Sequence, residues 1–261
     1  MLKILQLTDL HVTPHAGDLM LGLDTEDFFQ KTLADAYGQH GPFDLILLTG
    51  DLAQDPCADS YQRIQQHLSQ YPIHCLCLPG NHDDFELMQR YLQAGNVSSN
   101  KQLVIGNWQI VLLNSQKPNS PVGMLAEKEL AFLEQALLSH QELPTLIALH
   151  HPCYAIGSSW LDTMQIENSA AFLSLLNKYP QVKAVTCGHV HQAYFKKIDH
   201  INFFATPASC FQFTPYSNEF SIAETSPGYR VFNLHQDGSL QSTVHQVPIT
   251  MDALDRKAHE Y

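Results

Sequence analysis

Six short apolar runs, each closing on polar residues, constrain the fold more than any other feature of this chain: KILQLTD (3–9), DLILLTGD (44–51), IHCLCLPGNHD (73–83), WQIVLLNS (108–115), TLIALHH (145–151) and KAVTCGHVH (183–191). Runs of this kind, rich in Ile, Leu and Val and bounded by turn residues, are the signature of strands buried on both faces. Such strands need a helix or a second sheet over each face, and helical patterns lie between most of them. Over 59–71, Tyr61, Ile64, Leu68 and Tyr71 make one apolar stripe, and Leu130, Leu133 and Leu137 repeat it over 127–139. Asn168 is placed to cap a helix carrying Phe172, Leu173 and Leu176, and Asp24 or Thr25 to cap one carrying Phe28 and Leu33.

From Asn202 the texture becomes β-rich (202–248), with Asp237–Gly238 reading as a hairpin turn. No internal repeat or Gly/Ser linker divides the 261 residues, a length that one elaborated domain accommodates. A single α/β domain over 1–261, two sheets with flanking helices, is therefore expected. Segments 152–167 and 207–228 lack periodicity, and loops of that length in a compact domain serve as lids or walls. The tail 252–261 is expected to be a short helix or a frayed end and carries no assigned role.

Composition narrows the partners. Asp and Glu outnumber Lys and Arg by 26 to 14, a net charge of −12. Sequence-independent binding to nucleic acid or an anionic membrane is thereby disfavoured, because each phosphate contact needs a cation. No segment approaches the roughly 18 apolar residues of a membrane span. The six cysteines, Cys57, Cys75, Cys77, Cys153, Cys187 and Cys210, form no CxxC pair and read as buried free thiols of a reduced, cytoplasmic protein.

The chemistry gathers where the runs end. Asp9-Leu10-His11, Gly50-Asp51, Gly80-Asn81-His82-Asp83, His150-His151-Pro152 and Gly188-His189-Val190-His191 all follow strand patterns. In open α/β sheets, ligands sit beyond the carboxyl ends of the strands, so distant fragments are delivered to one rim. Any one fragment could be a turn, a cap or a core histidine; five in this order make that reading improbable. Carboxylate, imidazole and amide donors without thiolate suit Mn, Fe, Co or Zn, and argue against a structural zinc cluster or a pure Mg or Ca cage. The seven donors Asp9, His11, Asp51, Asn81, His150, His189 and His191 are too many for one tetrahedral site and suit two open sites sharing a carboxylate.

The order D-x-H, G-D, G-N-H-D, H-x-P, G-H-x-H resembles the calcineurin-like metallophosphoesterase superfamily. The fragments GDLAQD (50–55), LPGNHD (78–83), SWLD (159–162), CGHVHQ (187–192), ATPASCFQF (205–213) and SPGYR (226–230) extend the likeness to the bacterial class III cyclic-AMP phosphodiesterases. The resemblance implies a four-layer fold, a two-sheet β-sandwich with helices on both faces. It implies two divalent ions, Fe and Mn favoured: Asp9, His11 and His191 on the first, Asn81, His150 and His189 on the second, and Asp51 as the bridge. His150 is selected over His151 by the H-x-P pattern, which leaves His151 a neighbour or a substrate contact.

The implied reaction is hydrolysis of 3′,5′-cyclic AMP to 5′-AMP. Two ions acidify a shared water and align it for in-line displacement, and His82 protonates the leaving 3′ oxygen. Asp83 is the expected partner of the His82 imidazole. His11, Asp51, Asn81, His82 and His191 are the expected substrate contacts, with Tyr154, Trp160, Phe211, Phe213 and Tyr216 as candidates for stacking the base. The alternative is a broader phosphodiesterase accepting 2′,3′-cyclic nucleotides or other small diesters. A lipid-pyrophosphate hydrolase would want an apolar helix pair, a nuclease a basic groove, and a silent scaffold would have lost donors; none of these signs is present.

Overall fold

A computed structural model describes residues 1–255 and 258. Most of the tail beyond 252 thus lies outside the described residues. In chain order β1 (Leu2–Leu7), α1 (Thr25–His40), β2 (Leu45–Thr49), α2 (Ala58–Ser69), β3 (Cys75–Leu78), α3 (Phe85–Tyr91) and β4 (Val97–Ser98) build the parallel part of a first sheet. Next β5 (Gln102–Ile105), β6 (Trp108–Leu112), α4 (Glu127–Ser139), β7 (Thr145–Ala148), α5 (Ser169–Leu176), β8 (Val182–Cys187), β9 (Tyr194–Ile198) and β10 (Ile201–Ala205) form a second sheet, ordered β5-β6-β7-β8-β10-β9. A ribbon of β11 (Gln212–Phe213) and β12 (Ile222–Ala223) follows. The chain then returns through β13 (Gly228–Leu234) and β14 (Leu240–Gln246), completing the first sheet as β14-β13-β1-β2-β3-β4.

The four layers follow from strand alternation, since successive side chains face opposite sides. Ile4, Leu45, Leu47, Leu76 and Leu78 point inward and meet Trp108, Ile110, Leu112, Leu146 and Ala184 of the second sheet. Leu5, Leu7, Ile46, Leu48, Cys75 and Cys77 point outward under α1 and α2, against Phe29, Leu33, Tyr61, Ile64 and Leu68. On the far side Val111, Ile147, Val185 and Phe203 lie under Leu133 and Leu137 of α4 and Phe172 and Leu176 of α5. The expected sandwich with helices on both faces is what forms.

Helix ends match the capping signals with one variation. Asp24 caps α1 by accepting from the Asp27 amide (2.9 Å), while the Thr25 hydroxyl donates to the His11 carbonyl (2.6 Å). Asn168 precedes α5, but its side chain pairs with the Leu125 backbone instead (3.1 and 2.7 Å), tying the start of α5 to the segment before α4. The Asp237–Gly238 turn joins β13 to β14, with Gly238 at φ 81°. Among the described residues no helix is long and apolar enough to cross a membrane.

Candidate metal centre

The parallel strands β1, β2 and β3 of one sheet and β7 and β8 of the other all release their chains at the same rim. The loops after β1 and β2 run side by side: the amides of Asp9, His11 and Val12 donate to the carbonyls of Gly50, Asp51 and Leu52, each at 3.0 Å. Across the sheets, the His150 Nδ1–H faces the Thr49 carbonyl (2.8 Å) and the Ser209 amide donates to the Thr8 carbonyl (2.9 Å), while within the second sheet the Gly188 amide donates to the His150 carbonyl (3.1 Å).

Five donor residues have left-handed backbones: Asp9, His11, Asp51, His189 and His191, with φ between 45° and 68°. Such conformations cost free energy for residues with a Cβ and persist where the surroundings over-determine them, typically at functional sites. Here they turn the chain back on itself at a strand end, so that side chains lie over the rim. Close approach also demands glycine at two places. A Cβ on Gly80 would collide with the Asp51 carboxylate, and one on Gly188 with the Thr8 hydroxyl.

Asp51 is central and buried. Its Oδ1 accepts from the His82 amide (2.9 Å), and its Oδ2 lies 3.2 Å from His150 Nε2 and 3.8 Å from His11 Nε2. Four groups of donors have their ligand atoms within 4.8 Å of one another: Asp9, Asp51 and His150; His11, Asp51 and His82; His150, His151 and His189; His11, His191 and Cys210. Asp51 belongs to two of them. Asn81 Oδ1 joins at 3.2 Å from His150 Nε2, and His11 and His191 bring their Nε2 atoms to 3.3 Å. All seven donors named from the sequence therefore converge.

The far nitrogens of these imidazoles are held. His11 Nδ1 pairs with Gln54 Oε1 (2.7 Å), His191 Nδ1 with the Phe211 carbonyl (2.8 Å), and His150 Nδ1 with Thr49 as above, which turns each Nε2 toward the centre. Burial pushes His11 down to about 3 despite the attraction of Asp51, and drives His189 well down, so both are neutral bases. For His150 the Asp51 carboxylate overcomes burial and raises the imidazole to about 9; Asp51 itself, although burial opposes it, is held well below the carboxylate range by His150 and His82.

The donors fit divalent ions on one further ground. Both ring nitrogens of His189 are buried without any hydrogen-bond partner. Protein interiors rarely leave such atoms unsatisfied, and a Lewis acid is what converging lone pairs lack.

Two placements differ from expectation. The Asp83 carboxylate does not serve His82; it accepts from the amides of Leu52 (3.1 Å), Ala53 (3.1 Å) and Gly80 (2.9 Å) and from the Tyr61 hydroxyl (2.9 Å). Burial, with Asp51 nearby, pushes it up to about 6 against those hydrogen bonds. His82 Nδ1 instead faces the Gln54 carbonyl at 3.4 Å. Most of the expected stacking aromatics also point elsewhere. Phe211 and Phe213 are buried behind the histidines, with the Phe213 ring 4.3 Å from that of His191; Tyr154 is buried beside Tyr194, and Tyr216 lies exposed against Gly157.

Trp160 is the exception. With Leu161 and Met164 it lines a cavity of about 400 Å³ that opens onto Asn81, His82 and His189. Phe213 and Phe220 pack edge-on against its indole at 4.9 and 5.5 Å, so segment 207–228 braces the wall that 152–167 forms. The remaining wall, Asn119, Ser120 and Pro121, was not anticipated; its only sequence signal is the Pro118–Asn119 turn pair. His151, buried, hydrogen-bonds Ser115 Oγ through Nδ1 (2.8 Å), and its Nε2 has no partner. Cys210 was also unforeseen here; burial drives its thiol well up, so it packs as a neutral group.

Known proteins share this fold and much of this sequence. A dimetal phosphatase structure from Danio rerio, 14% identical, aligns over 94% of this chain and 99% of its own with a TM-score of 0.64. The curated 3′,5′-cyclic adenosine monophosphate phosphodiesterase CpdA of Escherichia coli is 37% identical over 260 residues, 99% of this chain and 94% of that one. A 3′,5′-cyclic-nucleotide phosphodiesterase of Nostoc is 34% identical, covering 96% and 94%. Residues 2–193 match the calcineurin-like phosphoesterase description, and on that match, with relatives alike along nearly their whole length, the chain belongs to the calcineurin-like phosphoesterase family.

Proposed function

We propose that this chain hydrolyses 3′,5′-cyclic AMP to 5′-AMP with two divalent ions held by its rim. The observation that carries this reading is Asp51, itself buried and shared by two groups of donors beside a cavity fitted with one indole wall. The substrate comes from the full-length likeness to curated cyclic-AMP phosphodiesterases. Asp9, His11 and His191 would hold one ion, Asn81, His150 and His189 the other, and Asp51 both. Iron and manganese suit this imidazole and carboxylate set. Ions bound there supply the charge neutralisation and the acidified water that a phosphodiester requires.

The protein's own groups do the rest. His82 borders the cavity, and with Nδ1–H directed at the Gln54 carbonyl the doubly protonated ring carries its second proton on Nε2, from which it passes to the departing 3′ oxygen and leaves a neutral imidazole. His11, Asp51, Asn81, His82 and His191 surround the phosphoryl group, while Trp160 offers its face to the base. The partner is a small cyclic nucleotide; the −12 charge disfavours long polyanions and anionic membranes. Six free thiols suit the reduced cytoplasm.

The test is a panel of 3′,5′-cyclic AMP, 3′,5′-cyclic GMP, 2′,3′-cyclic AMP and a chromogenic base-free diester, assayed with metal-loaded protein. Preference for 3′,5′-cyclic AMP is the expected result. Equal turnover of all four would replace it with the broader phosphodiesterase reading.

A further inference from the structure

The link between β6 and α4 supplies a cavity wall that the metal-donor fragments do not account for. Lys117 and Ser120 bridge across Pro118 and Asn119, and Asn119 has φ 55°. Proline followed by a residue with positive φ is the pattern of a type II turn, where Asn or Gly suits the second position. The turn is rooted on the reacting centre. Gln116 Nε2 donates to the carbonyls of Gly80 (3.0 Å) and Asp83, and the Met124 amide closes the segment onto the Ser115 carbonyl (2.9 Å). A Cβ at Gly123 would strike the His151 ring at 2.5 Å, so the returning chain is packed against that histidine. Asn119 is thereby held at a set place relative to Asn81, His82 and His189, which line the same cavity.

Away from those three residues, the cavity lining is apolar (Pro121, Trp160, Leu161, Met164) except for Asn119 and Ser120. The indole N–H is buried without a partner, and no hydrogen bond to another described residue occupies the Asn119 amide. Resting on the cyclic-nucleotide reading above, we propose that Asn119 is a specificity-determining residue that reads the N6/N7 edge of an adenine lying against Trp160. A carboxamide sets one acceptor beside one donor, matching the adenine N6 amino group beside N7. Guanine offers two acceptors there, O6 and N7, which one carboxamide cannot satisfy together. At the N1 edge a flipped amide would serve either base, so N6/N7 is the edge at which this residue discriminates.

Asparagine also suits the turn itself, and the experiment separates the two roles. Asn119→Gly keeps a residue suited to positive φ and removes only the amide. Rates on cyclic AMP, cyclic GMP and the 7-deaza analogue of cyclic AMP are each divided by the same protein's rate on bis(p-nitrophenyl) phosphate, which has no base. The expected result is a cyclic AMP to cyclic GMP ratio of kcat/KM that falls about 5- to 150-fold in Asn119→Gly, the worth of one bidentate base contact. Replacing N7 by carbon should slow the wild type and leave Asn119→Gly indifferent. Unchanged ratios in both comparisons would overturn the role of Asn119 while leaving the cyclic-AMP reading in place. A wild type active on the base-free diester but inert toward cyclic nucleotides would overturn that reading and this inference together.

Discussion

At the level of single side chains, His82 and Asp83 stand next to each other and do unlike work. Asp83 is a buried acceptor for three amides and one phenol, all within 3.2 Å, and it fixes the turn from which Asn81 and His82 project. Removing it leaves those donors buried and unpaired, each at a cost of about 1–3 kcal/mol. Asp83→Ala should therefore lose at least about 3 kcal/mol in urea unfolding, and Asp83→Asn less, since one oxygen remains. His82→Ala makes the opposite trade: metal content and stability near wild type, turnover on cyclic AMP lower by about 10²–10⁴-fold. An Asp83→Ala protein as stable as wild type would return the carboxylate to the chemistry, and undiminished turnover in His82→Ala would remove the histidine from it. Spacing placed both residues at the site, but which neighbour a carboxylate faces depends on the Leu52–Ala53 backbone, thirty residues away in sequence.

Elements divide by how strongly they repeat. The six apolar runs became strands and the stripes of α2 and α4 became helices, because burial on a face leaves a period in the sequence. The seven residues of α3 bury only Met88 and so leave no stripe, and β9 alternates weakly at the edge of its sheet. Loop aromatics carry no period at all, which is why Phe211 and Phe213 gave no sign that they face inward toward His191. The contact of α1 with β14 is a case of the same kind. The rings of His40 and His245 lie 3.9 Å apart, with Tyr229 beside them donating to Asp35 (2.9 Å). Burial and the His40 ring lower the pKa of His245, against the attraction of Asp35. Its folded value lies below the unfolded value of about 6.5, so its contribution to stability is complete above the unfolded value and is lost as pH falls from there through the lower folded value. Thermal midpoints measured at pH 7.5 and 5.5 should fall less on acidification in His245→Gln than in wild type. An identical drop in both proteins would show that the pair does not feel the proton.

Over the whole molecule, the two sheets are joined by a polar seam just beneath the donors. Gln6 of β1 donates to the Thr49 hydroxyl (2.8 Å) and the Cys187 carbonyl (3.3 Å), and accepts from the hydroxyls of Thr186 (2.6 Å) and Thr206 (2.8 Å). Buried Arg230 of β13 continues the seam to Thr206 (3.0 Å) and the Ala205 carbonyl (2.7 Å). Above it, the proposed ligands come from β1, β2 and β3 on one side and from β7 and β8 on the other, so neither sheet can unfold while both ions are held. We propose from this that residues 1–261 behave as one cooperative unit whose stability is linked to metal. A ligand at one hundred times its dissociation constant stabilises the folded state by about 2.7 kcal/mol, which in a chain of this size moves the midpoint by about 5–10 °C. Stripping the loaded protein with a chelator should lower the midpoint by that amount, and Asp51→Asn should start low and ignore the chelator. The two tryptophans report from different places, Trp108 buried between the sheets and Trp160 at the cavity. Their fluorescence and far-ultraviolet circular dichroism should therefore trace one coincident transition in the loaded wild type. Two separated transitions, or a midpoint indifferent to verified loss of metal, would mean that the sheets are not bolted together through the rim.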